Sequence, residues 1–184
     1  MKLNSFLILV FIMCNLFVSC KKSNKTQMME CLQKIQKKPV KLNLEKTKKM
    51  YSDADTLHYT KPDPKYRLVI YVDSDECSPC RIDRMFLWNY FMNQTKKCNN
   101  VDYIFIISPR KEQLEDTYLS IESSGLQRPI YVDEKYYFRR YNAGISMNSN
   151  FRVFLIDKNN MIRLVGDPKS NKEILKLFNK IINF

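Results

Sequence analysis

The stretch Tyr66-Arg67-Leu68-Val69-Ile70-Tyr71-Val72-Asp73, followed after three residues by Cys77-Ser78-Pro79-Cys80, indicates the fold. The first part is almost continuously apolar and β-branched, which is typical of a strand covered on both faces. The second part opens a segment, from about Ser78 to Lys97, that carries apolar residues at helical spacing. We therefore expect the two cysteines at the point where a buried strand passes into a helix.

The sequence on either side predicts the other elements of one α/β domain. They are a short amphipathic helix before Pro39, a second buried strand at 101–108, a helix at 111–124 that stops at Gly125, a short strand at 129–133, a brief helix at 134–141, a hairpin of 151–157 with 161–166, and a terminal helix at 173–182. From residue 66 onward the order β-α-β-α-β-α-β-β-α predicts a central mixed sheet with helices on both faces.

Composition supports one globular domain with an N-terminal accessory. The chain has 184 residues, three glycines, seven prolines and 12% aromatic residues, which excludes collagen-like and disordered classes. Its formal net charge of +12 is uneven, because residues 21–49 hold ten lysines against two glutamates. This basic tract favours either attraction to anionic head groups or a solvated, flexible spacer. It lacks interleaved aromatic residues, so we expect no nucleic-acid partner.

The first twenty residues read as an export signal. A positive start at Lys2 precedes a short apolar run, and Ser19-Cys20 resembles the end of a bacterial lipobox, with Phe17 in place of the usual Leu. We expect residues 1–19 to be removed and Cys20 to carry lipid; the alternative is an ordinary secretory signal in which Cys20 is incidental. Residues 20–50 would then be a lipid-anchored basic linker and residues 51–184 the globular domain. The expected location is the cell envelope, outside the cytoplasm and in the periplasm.

Cysteines at a strand-to-helix junction favour redox chemistry. Backbone N–H groups at a helix start stabilise a thiolate, so Cys77 is expected to be the exposed attacking residue and Cys80 the resolving thiol, with Pro79 in the first turn. A structural disulfide and a metal site are the alternatives. The metal alternative is weak, because zinc needs about four ligands and His58 is the only histidine. We expect no cofactor. Cys31 and Cys98 either pair with each other or remain thiols.

Residues 66–184 resemble the thioredoxin-like fold, and particularly the membrane-anchored TlpA-like thiol–disulfide oxidoreductases of the bacterial envelope. The resemblance rests on the strand before Cys77, on Cys-Ser-Pro-Cys-Arg with Asp83 three residues later, and on Phe154-Leu155-Ile156-Asp157 before a polar turn. It implies a three-layer sandwich, reduction of disulfides in exported proteins, and a membrane electron donor. Asp83 would exchange a proton with Cys80 from the same helical face, unless it is only a surface residue.

The sequence also departs from that family. Asn150-Phe151-Arg152 occupies the place of the usual cis-proline, and Tyr71 stands where thioredoxin has a buried aspartate. Glu76 replaces the usual tryptophan, and its charge is expected to raise the pKa of Cys77. The candidate groove residues are Glu76, Ser78, Pro79, Asn150 and Phe151. The missing proline keeps open a second hypothesis, in which the protein is a lipid-anchored binding module for an envelope partner.

Overall fold

The computed structural model of the chain describes residues 24–53, 63–96, 98, 100–146 and 148–183. Contacts divide the chain into two compact units, Met1–Gln33 and Lys34–Phe184. The expected signal segment, Cys20 and His58 lie outside the described residues. Among the helices that are described, none combines the length and the apolar character needed to cross a membrane.

A six-stranded mixed sheet forms the centre of the second unit. Its strands are β1 (Lys48–Met50), β2 (Tyr66–Val72), β3 (Val101–Ile107), β4 (Ile130–Val132), β5 (Val153–Asp157) and β6 (Ile162–Val165). They lie in the order β1-β4-β3-β2-β5-β6. The pairs β2–β3 and β3–β4 are parallel, and the other three pairs are antiparallel. The mixed sheet predicted from the sequence is therefore confirmed.

Seven α-helices and three short 3₁₀ helices are described along the chain. The α-helices are α1 (Asn24–Gln36), α2 (Ser78–Ile82), α3 (Leu87–Thr95), α4 (Leu114–Ser123), α5 (Tyr137–Tyr141), α6 (Ala143–Ser146) and α7 (Lys172–Ile182). The prediction of one helix over 78–97 was wrong, because a turn separates α2 from α3. The N–H of Met85 in this turn and that of Trp88 at the start of α3 bond to carbonyls three residues back. Three-residue spacing puts the buried Ile82, Met85 and Trp88 on one side of the segment.

Both faces of the sheet are covered. On one face, Leu68, Ile70 and Val72 of β2 belong to a core that also includes residues of α2, α3, α4 and α7. On the other face, the ring of Tyr71 lies 4.4 Å from the ring of Phe138 in α5. Alternate residues of β2 thus point to opposite helical layers, as its unbroken apolar sequence predicts. The α/β fold expected from the sequence, a central mixed sheet between two helical layers, is confirmed.

Part of the basic tract is built into this domain. The compact unit begins at Lys34. The sequence predicts a later start for the domain, at residue 51. Strand β1 pairs with β4 and places Lys48 opposite Val132. The N–H of Val40, whose side chain is buried, donates to the carbonyl of Asn160 over 2.9 Å. Residues 40–50 are therefore integrated with the sheet and its loops.

Candidate active site

A disulfide between Cys77 and Cys80 lies where the central strand β2 leads into α2. The Cα atoms of the two cysteines are 5.4 Å apart. Cys77 is the N-cap of α2, and its Sγ accepts the N–H of Cys80 over 3.4 Å. The loop before it turns tightly, since the N–H of Glu76 donates to the carbonyl of Asp73. The structure thus places the cysteine pair at the strand-to-helix junction, as the sequence predicts.

The two cysteines differ in exposure, but in the opposite sense to the one expected. Cys80 is exposed, whereas Cys77 is half-buried. The cause is the orientation of α2, which buries Ser78 and Ile82 four residues apart and so turns Cys80 toward solvent. Asp83 is also exposed, so it shares the solvent side with Cys80 as its spacing predicts.

The candidate groove residues fall into two groups. Glu76 and Pro79 are half-buried and Asn150 is exposed, so these three are open to a bound molecule. Ser78 and Phe151 are buried, with 0% and 2% of their surface exposed, and cannot line an open groove as they stand. The Oγ of Ser78 is buried without a hydrogen-bond partner among the described residues. The side chain of Phe151 is enclosed by the fold.

Arg152 lies next to the loop that precedes Cys77, in the segment 150–152 where the sequence has no proline. Its guanidinium donates to Glu76 Oε1 over 2.5 Å and to Asp75 Oδ2 over 2.6 Å. The hydrogen bond from Arg152 lowers the pKa of the Asp75 carboxyl below its ordinary value. Glu76 also pairs with Arg81, 3.1 Å away. Glu76 therefore does not stand beside Cys77 as an uncompensated charge, which was the basis for expecting a raised pKa at Cys77.

A second polar cluster lies at the same edge of the sheet. Asp73, Ser108 and Asp133 directly follow the parallel strands β2, β3 and β4, and all three are buried. The hydroxyl of Tyr71 donates to Ser108 Oγ, which donates in turn to Asp133 Oδ2. Burial raises the pKa of Tyr71, so this hydroxyl remains protonated and able to donate.

This cluster was missed at the level of sequence, although a signal was present. The carboxyl ends of parallel strands meet at one edge of a sheet, so polar residues just after such strands are expected to converge. Asp73 provides a buried carboxylate four residues before Cys77, and Arg139 of α5 lies 3.6 Å from it. Asp133 accepts the N–H groups of Tyr137 and Phe138 and so fixes the start of α5. The cluster supports the loop behind the disulfide.

Other possible ligand groups do not converge. Within the described part of the chain, no group of three or more His, Cys, Asp or Glu side chains could hold a metal ion. Cys31 and Cys98 are partly buried thiols. The chemistry that this arrangement can carry out is thiol–disulfide exchange at Cys77 and Cys80, with Asp83 on the same exposed side.

Comparisons with known proteins found distant likenesses to solved structures. No family model matches the chain, and no curated protein matches it. A solved thioredoxin-like protein in its oxidised form is 15% identical, with 77% of this chain and 95% of that chain covered and a TM-score of 0.42. The thioredoxin domain of a thiol–disulfide oxidoreductase from Bacteroides vulgatus is 19% identical, with 64% and 79% covered and a TM-score of 0.44. With TM-scores below 0.5 these likenesses are distant, and the chemistry of the site is inferred from the Cys77–Cys80 pair itself.

Proposed function

We propose that the protein is an envelope thiol–disulfide oxidoreductase that reduces disulfides of exported proteins. The observation that carries this proposal is the Cys77–Cys80 disulfide at the end of the central strand, with Cys80 open to solvent. A buried structural bond would have no route to a substrate. A disulfide at a surface helix start can be attacked, broken and re-formed.

The reaction needs only the two cysteines and a proton carrier. In the reduced protein, the thiolate of Cys77 attacks a substrate disulfide, forms a mixed disulfide and releases one substrate thiolate. The thiolate of Cys80 then attacks Cys77 Sγ, which releases the second substrate thiolate and leaves the Cys77–Cys80 disulfide. Two electrons pass to the substrate, whose two sulfurs take up two protons. A dithiol donor at the membrane must then reduce the protein again.

Two features support Cys77 as the attacking residue and Asp83 as the proton carrier. The N–H of Cys80 points at Cys77 Sγ, and a hydrogen bond of this kind favours a thiolate on Cys77. Asp83 lies one turn beyond Cys80 on the exposed side of the segment. A carboxylate there can take the proton of the resolving thiol as it attacks.

A redox titration of the full chain, purified in detergent, tests the proposed function. Thiol alkylation across glutathione or dithiothreitol ratios would follow the Cys77–Cys80 couple. A reversible two-electron couple with a reduction potential of about −270 mV supports a reductase, whereas a potential of about −120 mV supports an oxidant. Absence of a reversible couple would overturn the enzymatic proposal and favour the binding module.

We propose further that Cys20 carries the lipid anchor and that the lysines of residues 21–49 add attraction to anionic head groups. The support is the sequence of residues 1–20 and the charge of the tract. Cys20→Ser should release the protein from the membrane fraction of its host. Cys14→Ser, a change at the other cysteine of the first twenty residues, is the matched control. Equal membrane retention of the two variants would refute the anchor.

A further inference from the structure

We propose that Arg152 is the positioning residue of the dithiol: its guanidinium fixes the Asp75–Glu76 loop and cancels the negative charge that would oppose thiolate formation at Cys77. This role rests on the proposed function, since it concerns the reactivity of the same cysteine. Arg152 does not take part in electron or proton transfer.

The first step of the argument is the way Arg152 joins two separate parts of the fold. Its guanidinium holds both Asp75 and Glu76, the last two residues before Cys77. Its carbonyl accepts the N–H of Tyr71 over 2.8 Å, in the central strand that leads to the same loop. Backbone and side chain of one residue therefore fix both the start and the end of the segment between β2 and Cys77.

The second step concerns burial. The side chain of Arg152 is only 6% exposed, and that of Glu76 is 25% exposed. Charge-assisted hydrogen bonds in such surroundings are shielded little by water, so this pair is stronger than an ordinary surface ion pair. By contrast, Arg81, the other partner of Glu76, has a side chain that is 52% exposed. Arg152 is thus the better placed of the two cations to neutralise Glu76.

The third step is the charge balance around the dithiol. Glu76 immediately precedes Cys77 and Arg81 immediately follows Cys80, so their ion pair brackets the disulfide. Together with Asp75 and Arg152, these side chains sum to zero. Without Arg152 the sum becomes −1, next to a cysteine that must become an anion. Helix α2 has only five residues, so its dipole alone offers Cys77 little compensation.

Other charged groups on the surrounding elements are arranged differently. Asp73, at the end of β2, faces Arg139 of α5, and that arginine also donates to Ser74. Asp83 and Arg84 are exposed beyond α2. Helix α4, which contacts α2, carries the exposed carboxylates Glu115, Asp116 and Glu122. Of the acidic residues named here, only Glu76 is adjacent in sequence to Cys77. The negative charge of Glu76 is therefore the one that Arg152 must offset for a thiolate to form on Cys77.

The pH dependence of Cys77 alkylation tests this role without needing turnover. In the full chain carrying Cys80→Ser, the rate of iodoacetamide addition to Cys77 would be followed by mass spectrometry from pH 5 to pH 10. Addition of Arg152→Met should raise the apparent pKa of Cys77 by about one pH unit. A pKa higher by one unit leaves about tenfold less thiolate at pH 7, but each thiolate is about threefold more nucleophilic because it is more basic. The alkylation rate at pH 7 should therefore fall about threefold overall.

Three further variants make the result specific. Arg152→Lys keeps the charge and should restore most of the shift, and the double variant Glu76→Gln with Arg152→Met should return the profile close to the parent. Arg163→Met, in the exposed hairpin, is the matched control and should leave the profile unchanged. An unshifted profile in folded Arg152→Met, or a double variant that shifts as far as Arg152→Met alone, would overturn the proposal.

Glu76→Gln alone keeps the test decisive even if Arg152→Met does not fold. With Arg152 retained, removal of this carboxylate should lower the apparent pKa of Cys77, and an unchanged or raised value would refute the role of Arg152. Because alkylation reports on one thiol and not on electron transfer, these outcomes differ from failure of the redox titration. A protein with no reversible couple would refute the proposed function while still returning these pKa values.

Discussion

Asn142 and Lys41 are joined by two hydrogen bonds, from the Lys41 N–H to Asn142 Oδ1 over 3.0 Å and from Asn142 Nδ2 to the Lys41 carbonyl over 2.9 Å. The amide of Asn142 is buried and also donates to the carbonyl of Phe138. One side chain at the end of α5 therefore satisfies the backbone of a segment that lies 101 residues away in sequence.

Asn142→Ala should consequently reduce the free energy of unfolding by about 2 kcal/mol, since the partly buried N–H and carbonyl of Lys41 and the buried carbonyl of Phe138 lose the side chain that bonds to them. Urea unfolding followed by circular dichroism measures the change. Asn159→Ala in the exposed hairpin turn is the matched control and should stay within about 0.5 kcal/mol of the parent. Equal stabilities of the two variants would show that the segment around Lys41 contributes nothing to the domain.

Ser78→Ala should leave the oxidised protein as stable as the parent or make it about 1 kcal/mol more stable. The reason is that the Ser78 hydroxyl is buried without a hydrogen-bond partner among the described residues, and such a group carries a desolvation cost. Ser108→Ala is the contrasting variant, because it leaves Tyr71 without the acceptor of its hydroxyl and should cost about 1–3 kcal/mol. A loss of stability in Ser78→Ala would mean that its hydroxyl has a partner after all.

Cys77→Ser should abolish reduction of a small disulfide, and Cys80→Ser should trap a mixed disulfide through Cys77. Without its resolving partner, the attacking sulfur has no intramolecular route to release the substrate. Mass spectrometry of the adduct identifies the cysteine involved, and Cys98→Ser, a change in a partly buried thiol outside the motif, should keep full turnover. Trapping in Cys77→Ser instead would make the exposed Cys80 the attacking residue.

Asp83→Asn should slow turnover about tenfold while leaving the fold unchanged, because the amide cannot take a proton from Cys80. The rate of disulfide reduction from pH 5 to pH 9 is the measurement. Asp116→Asn, an exposed carboxylate of α4, serves as its control. If the parent and Asp83→Asn have the same rate at every pH, Asp83 is only a surface residue.

The ion pair of Asp75 should contribute stability that depends on pH. Arg152 holds the folded-state pKa of this carboxyl below 3.8, the value without the partner. The contribution is therefore fully present at pH values above about 5 and is lost as the pH falls through the folded-state pKa. Urea unfolding of the parent and Asp75→Asn from pH 7 to pH 2 should show a difference that closes at the acidic end. Its size should be small, since the Asp75 side chain is 62% exposed. A difference that stays constant down to pH 2 would contradict the ion pair.

The central elements of this fold could be predicted from the sequence because local chemistry determines them. The strands β2 and β3 come from β-branched runs that suit a sheet covered on both faces. The dithiol follows from its position just after β2. By contrast, the Lys-Lys-Met sequence of β1 has little strand character of its own, and it is a strand only because β4 pairs with it.

Long-range contacts account for most of what the sequence could not indicate at the site. Glu76 and Arg152 are 76 residues apart, and no local pattern shows that they meet. The exposure of Cys80 depends on which side of α2 faces the core, and a helix of five residues is too short for its periodicity to show this. Asp73, Ser108 and Asp133 could have been grouped by their positions after parallel strands, once the strand order was known.

Strand β1 has a consequence for how the protein behaves at high local concentration. Among the described residues it forms one border of the sheet, and a border strand can accept a further strand from a neighbouring chain. The border is only three residues long, and its first two residues are exposed lysines. Like charges on two such borders repel each other, which discourages strand addition between copies. We therefore expect the lysines that the sequence assigns to a linker to discourage pairing of this border with a second copy of the chain as well.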